Sequence, residues 1–420
     1  MKHLVKLLRF PDVLVIGGGS AGVAATVGAS EAGADVVLLE KNGFLGGKAT
    51  AAYVGTVCGL YYRSENPTAR FVMEGFPKTF AEQLQEYSQT QPVHYKNGLH
   101  FLPYDRFAFM QLCDQWVGKH ATSLGLHSYM HNVEVDGRTI VSLTATVYNQ
   151  RVKFHPKVVI DTTGEAVIAQ MLDLSQLFSD EYQASAQVFA LVGLGSNDHQ
   201  VLTLALMRAL RKGISEGQLS EDCQRLSIVP GTLKNGQALF KMGIPVSVNN
   251  EENQVMLIET FARKLIQEVV SYLKANTELF KNTQISMVAP EVGIRTGPRH
   301  RGRYVLHKLD VLECRKFEDS IARGAWPIEH WHPNKKPVMD YFAEDDFYDI
   351  SAACLESSQL KNLYFAGRNL SADDQAIASA RVMGTCLATG YAAGYLAAGF
   401  AKGRKTAEMV ALIQEKMKLN

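Results

Sequence analysis

The residues best placed to do chemistry fall within the first fifty positions. Gly17-Gly18-Gly19-Ser20-Ala21-Gly22 fits GxGxxG through Gly17, Gly19 and Gly22, and an acid, Glu40, stands 18 residues beyond Gly22. Each has a use around a dinucleotide. Gly17 permits a tight turn, Gly19 lets backbone reach a pyrophosphate, and Gly22 lets a helix pack on a strand. The free N–H groups where that helix begins, at Ser20 and Ala21, favour phosphate. Glu40 can accept a hydrogen bond from a ribose 2′-hydroxyl, and its charge disfavours a 2′-phosphate.

Glycine loops are common, so the flanking elements decide. Asp12 to Ile16 is a short apolar, β-branched run, which predicts a strand buried on both faces. Val23 to Ala32 reads as a helix of small residues closed by Gly33, and Ala34 to Leu39 as a second strand ending on Glu40. Strand, glycine turn, helix, strand and acid in this order are the context the motif requires.

Lys41 follows Glu40, and five residues separate that acid from Gly46-Gly47-Lys48-Ala49-Thr50. An extended FAD needs the chain close beside its pyrophosphate and ribityl, and a glycine pair allows that approach. Here the sequence resembles the glutathione-reductase-like FAD superfamily, whose members carry an acid followed by GG and a Ser or Thr. The resemblance implies noncovalent FAD on Gly17, Gly19, Ser20, Ala21, Gly22, Glu40, Lys41, Gly46, Gly47, Lys48 and Thr50. It also implies a strand ending in Asp161-Thr-Thr163-Gly164-Glu165, reached through a hairpin of Val141 to Tyr148 and Val152 to Ile160. Leu126 to Val135 is then the strand whose backbone, at Val133, meets the adenine, with Asp136-Gly137 as a turn. At the far end, a strand into Gly367-Arg368 and a helix beginning near Gly384-Thr385, with Arg381, complete the site at the flavin N1/C2=O edge. No second GxGxxG occurs, since Gly193-Leu-Gly195-Ser-Asn-Asp198 breaks at its third glycine. A separate nicotinamide domain of that type is therefore not expected, and Cys58 lacks the partner a disulfide reductase needs.

Further blocks are similar to one branch described as FAD-dependent oxidoreductases. They are Gly47-Lys-Ala-Thr-Ala-Ala-Tyr53, Gly293-Ile-Arg295 … Arg299-His-Arg-Gly302-Arg-Tyr304, Trp326-Pro-Ile-Glu329 and Ala366-Gly367-Arg368 … Arg381-Val-Met383 … Cys386 … Gly390 … Gly394. Three departures stand out. Thr296, Gly297 and Pro298 replace E-S-R in the G-I-R-E-S-R-R run; Ser351-Ala352-Ala353 replace P-Y-R after Tyr348-Asp-Ile350; and Asp373-Asp374 replace T-H. If the lost groups touch substrate in relatives, this chain has a changed substrate or a changed way of holding one.

The protein's own catalytic candidates are few. Arg295 and Arg299 could clamp a carboxylate. His332, with His300 and His330, titrates near neutrality and could abstract a proton. His330-Trp331-His332-Pro333 has no further ligands spaced around it, so no metal is expected. Cys58 reads as a small buried hydrophobe rather than a redox group. No histidine lies between Gly46 and Tyr53, so a histidyl-flavin bond lacks its residue there.

Bulk properties agree with an ordinary globular enzyme. Of 420 residues, 46% are hydrophobic and 20% charged, which excludes a disordered chain. The 43 basic and 42 acidic residues leave a net charge of +1, so nothing points to nucleic acid or an anionic membrane. Cysteines 58, 113, 223, 314, 354 and 386 make no CxxC pair, which predicts a reducing, cytoplasmic compartment. The uncharged stretches Val13 to Ser30 and Val382 to Ala401 are rich in Gly, Ala, Ser and Thr, poor material for a membrane span. Met1 to Phe10 carries basic residues but no apolar core with a cleavage site, so no export signal is expected.

The expected fold is α/β. A discontinuous Rossmann-like FAD domain takes residues 10–60, 105–175 and 345–400, with a parallel sheet and an inserted meander. A mixed α+β substrate or cap domain takes 61–104 and 176–344, including a strand near Ala184 to Val192 and a helix over Gln254 to Leu279. The tail, 401–420, spaces Met409, Val410, Leu412, Ile413 and Met417 on one helical face, which could dock on this subunit, a second copy or another partner. The expected activity is oxidation of a small organic substrate by hydride transfer to flavin N5. The alternatives are a monooxygenase borrowing NAD(P)H, or FAD as a structural ligand without turnover.

Overall fold

The structure, a computed structural model, describes residues 7–179, 182–246, 248, 253–333 and 337–419. Its centre is a sheet of five parallel strands: Val13–Ile16, Val36–Leu39, Ser123–Gly125, Val158–Asp161 and Leu363–Phe365. Ranked by chain position, they lie in the order 3-2-1-4-5, that of a doubly wound dinucleotide-binding sheet. Such a sheet binds ligands at its carboxyl edge where the order reverses, here between the first and fourth strands.

Alternation along each strand serves two layers. Val13, Val15, Val36, Leu38, Val158 and Ile160 face helices; Leu14, Ile16, Val37, Leu39 and Val159 face the antiparallel meander Ser128–Asp136, Thr139–Val147 and Gln150–Phe154. On the helical side, Ser20–Glu31 lies against Met383–Ala401 backbone to backbone. A Cβ on Gly390 would fall 2.1 Å from Ala21 O, and one on Gly394 2.2 Å from Ala25 O. This contact explains the second uncharged stretch: small residues let two helices approach closely. Among the described residues, no helix is long and apolar enough to cross a membrane.

A second core, spanning Tyr182 to Val292, lies under a four-stranded antiparallel sheet of Leu226–Ile228, Gln237–Gly243, Ala186–Val192 and Gln284–Val288. Phe189, Leu191, Phe240 and Met242 point into that core with helices His199–Ser215 and Gln254–Asn276. Val188, Ala190 and Leu239, the alternate positions, face the other way.

The structure departs from the expected elements in three places. The strand expected from Leu126 begins two residues later, as Ser128–Asp136 of the meander, because His127 turns at φ 52° after a separate strand, Ser123–Gly125, that joins the parallel sheet. Val152 to Ile160 is divided, at His155-Pro156. The cores also cross the expected boundaries. Tyr61, Phe76, Phe80, Leu306 and Ile321 belong to the first core, because helix Phe76–Ser88 and the 304–342 region pack on the parallel-sheet half. Tail helix Thr406–Met417, for which docking on this subunit was one expected alternative, spends its apolar face on its own chain: Met409, Val410, Ile413 and Met417 are buried, and Arg323 donates to Leu419 O.

Candidate active site

One cavity of about 630 Å³ opens at the switch point and runs from the carboxyl edge of the parallel sheet to the free face of the antiparallel sheet. Its first wall is backbone. Gly17 turns at φ 100° under Thr162, whose Oγ1 donates to Gly17 O at 2.7 Å. Gly46 N–H donates to Gly18 O at 2.8 Å, and a Cβ on Gly47 would sit 2.8 Å from Gly19 Cα, so the two glycine loops lie side by side. Helix Ser20–Glu31 starts at Gly19 with no capping side chain and no acid in its first turn, leaving its N–H groups and positive end uncompensated. A Cβ on Gly19 would meet only Gly47 Cα, at 3.8 Å, so this position opens on the cavity.

Glu40 ends the second strand. Its carboxylate accepts from Gly18 N–H at 2.5 Å and Asn42 N–H at 2.8 Å. Burial lifts its pKa above the ordinary range despite these bonds. Thr163 and Gly164 close the far side of this wall, with Gly367 and Arg368 beside them. Arg368 donates to Ile294 O at 2.7 Å and has no carboxylate partner among the described residues. Beneath the wall, buried Asp161 ties the segments together by accepting from Thr163, Ile168 N–H, Asn369 and His300. Burial pushes its pKa up, but the His300 hydrogen bond and charge outweigh this and hold it below the usual carboxylate range.

The opposite wall is made of side chains. Lys241 shares the cavity-facing side of its strand with Leu239; Arg295, Glu329, Trp331 and Arg381 gather near it. Lys241 Nζ and the Arg295 guanidinium lie 4.7 and 4.5 Å from the Trp331 ring centre. Arg381 donates to Gln183 Oε1 at 3.1 Å, while Glu329 accepts from Trp326 Nε1 at 3.0 Å. Burial works against the Glu329 charge, yet Arg381 and Lys241 hold its pKa below the ordinary value. Lys48 bridges the walls through a 2.6 Å ion pair with Glu291.

Fifteen residues expected at the site from sequence thus share this lining: Gly17, Gly19, Ser20, Ala21, Glu40, Lys41, Gly46, Gly47, Lys48, Thr163, Gly164, Arg295, Gly367, Arg368 and Arg381. The others lie elsewhere. Gly22 packs behind the wall, where a Cβ would fall 1.7 Å from Gly17 O. Thr50 braces the glycine pair by donating to Leu45 O at 2.7 Å. Val133 is buried between meander and sheet. Gly384 donates to Cys58 O at 2.8 Å and lies with Thr385 against Gly59; it is Met383 and Cys386, one turn apart, that reach the cavity.

Arg299 corrects the expected two-arginine clamp. It is 1% exposed and turned away, donating to Ala372 O at 2.9 Å and Gly297 O at 3.0 Å and pairing with Asp374 at 2.5 Å. A guanidinium left unpaired in the interior would cost several kcal/mol, so these internal partners use it fully. His332 lies off the lining, its ring 4.3 Å from that of His330 and tilted against it by 49°, and His300 is buried on Asp161 and Phe365. Cys58 does line the cavity, but burial pushes its thiol up to about 12, so it keeps its proton near neutrality. No group of three or more His, Cys, Asp or Glu that could hold a metal occurs among the described residues.

Lys241 was not singled out from sequence, and Glu329 and Trp331 entered only as members of quoted motifs, without a role. The signal was a lysine inside the apolar run Ala238-Leu-Phe240-Lys241-Met242.

A doubly wound sheet with a glycine-walled cavity at its switch point defines a dinucleotide-binding α/β protein. The chain belongs to the FAD dependent oxidoreductase family, which it matches over residues 12–418, and FAD is its cofactor. No curated protein matches it. Its fold is similar to that of a triple mutant of the flavin-dependent brominase Bmp2, at 11% identity and a TM-score of 0.50, over 96% of this chain and 84% of the other. It is also similar to BexE, a protein of oxidation during BE-7585A biosynthesis, at 11% identity and a TM-score of 0.51, over 96% of this chain and 65% of that one.

Proposed function

We propose that the chain is a catalytic flavoprotein of the glutathione-reductase-like superfamily, oxidising a small organic molecule held between its two walls. A single observation carries this reading: one continuous cavity joins the glycine wall to a wall of charged and aromatic side chains. A structural cofactor would need only the first. The residues present fit FAD. The uncapped start of helix Ser20–Glu31, open Gly19 and the unpaired Arg368 suit a pyrophosphate, and each Glu40 oxygen keeps a second lone pair for a ribose hydroxyl. Bound there, FAD would supply the two-electron redox chemistry, with its N5 as the hydride acceptor.

The protein's own part is to place and seclude the reactants. Gly17, Gly46 and Gly47 bring backbone close to the cofactor, and Arg381, beside the start of helix Met383–Ala401, offers positive charge where reduction builds negative charge. Leu99, Phe101, Trp326 and Val382 form an apolar side that keeps water out. Six unpaired cysteines support a reducing, cytoplasmic setting.

The test is anaerobic reduction of the purified yellow protein. An organic substrate that bleaches the flavin without nicotinamide is the expected result. Bleaching by NAD(P)H that accelerates with substrate would make it a monooxygenase. A flavin reducible only by dithionite would remove the catalytic reading.

A further inference from the structure

Lys241 and Arg295 are in an unusual position for cations. Neither has a carboxylate within ion-pair distance among the described residues, and the Lys241 ammonium makes no hydrogen bond there. Arg295 donates to Ala184 O, a neutral partner. With Arg381 they face a single carboxylate among the described residues, Glu329, which leaves two positive charges uncompensated there. Charges in such a place cost stability unless something balances them. The fold nonetheless holds them: Trp331 spans both cations, and its backbone N–H and C=O bond Gln183 and Ala184.

We propose that Lys241 and Arg295 receive the carboxylate of the substrate, so that the protein acts on an organic carboxylate with an apolar body. The body would lie against the apolar side of the same cavity, Leu99, Phe101 and Trp326 with Met339. Glu329 has the complementary part. It balances one cation, so that a single bound carboxylate lowers the excess from two positive charges to one. Arg295 is pushed down by burial and by Arg381, but only to about 9, and it stays charged near neutral pH. The proposal deepens the flavoenzyme reading and rests on it.

The FAD-loaded full chain, titrated calorimetrically at neutral pH with benzoate and then with benzamide, tests this. Benzamide has the same flat body without the charge. Benzoate is expected to bind one molecule per chain, about tenfold or more tighter than benzamide. Arg295→Met and Lys241→Met should each weaken benzoate about tenfold or more while the visible flavin absorbance per chain is kept. Equal binding of the two probes, or benzoate affinity untouched in both variants, overturns the proposal. If a variant does not fold, the two probes on the unmodified protein still decide. A colourless chain that refuses FAD defeats the flavoenzyme reading instead, whereas a yellow chain indifferent to benzoate defeats only this one.

Discussion

The two walls of the cavity are built from opposite materials. On the parallel-sheet side, position is set by backbone: Gly17, Gly19, Gly46 and Gly47 sit where side chains would collide or fill the space. On the antiparallel side it is set by long side chains, Lys241, Arg295, Arg381 and Glu329, rising from a sheet face and loops. A backbone wall tolerates almost no substitution and suits a ligand that never changes. A side-chain wall can be re-equipped without moving the main chain, so on the proposed function substrate choice belongs there. The two walls should therefore fail differently when altered.

The largest effect is expected at Gly22→Ala. A new Cβ 1.7 Å from Gly17 O and 2.7 Å from Thr162 Oγ1 would force the helix off the strand that carries the glycine turn. The loss should be roughly 3 kcal/mol or more, and the purified protein should carry little flavin. Gly118→Ala is the counter-case: its Cβ meets nothing within 4 Å in helix Arg106–His120, so it should stabilise by about 0.5–1 kcal/mol and leave flavin content alone. Thermal unfolding and absorbance at fixed protein concentration check both. A flavin-replete Gly22→Ala protein would break the contrast between the walls.

A smaller effect separates framework cations from cavity cations. Asp374→Asn takes the ionic partner from buried Arg299 while its other acceptors, Ala372 O and Gly297 O, remain. Because Asp374 is 43% exposed on its side chain, the cost should stay at about 1–3 kcal/mol in urea unfolding, with flavin content and benzoate affinity unchanged. Loss of benzoate binding in this variant would return Arg299 to the substrate side.

These contrasts explain what the sequence could and could not disclose. The first wall was legible because sterics turn position into spacing: glycines at 17, 19 and 22, an acid at 40, a glycine pair at 46. Pro156 signalled the break that separates the meander from the fourth parallel strand, a cue available but overridden by the apolar run around it. The second wall was legible only at Arg295 and Arg381, because it depends on partners far apart in the chain. Arg295 and Arg299 lie four residues apart in one loop, yet one faces the cavity and the other is anchored 75 positions away on Asp374. Asp374, read as a sign of altered substrate contacts, pairs instead with that arginine, and Asp373 caps helix Asp374–Ala380 by accepting from Gln375 and Ala376 N–H.

The finest test of the side-chain wall is its response to pH. Lys241 is faced by Arg295, Glu329, Cys58 and Arg381; burial, then the Arg295 charge, push its pKa down to about 8. A carboxylate prefers the protonated lysine, so benzoate affinity should fall as pH rises through this value, roughly fourfold between pH 7 and 8.5. Lys241→Met should bind more weakly at pH 7 and show no such slope. The same lysine affects folding with the opposite sign. Between about 8 and the unfolded value near ~10.4, the unfolded chain holds a proton the folded one has released, so this group's contribution to stability rises with pH. Benzoate binding that weakens while urea stability holds or improves, with that slope absent in Lys241→Met, traces to Lys241. Affinity and stability falling together, equally in Lys241→Met, would place the titrating group elsewhere and leave the lysine without a part in holding the anion.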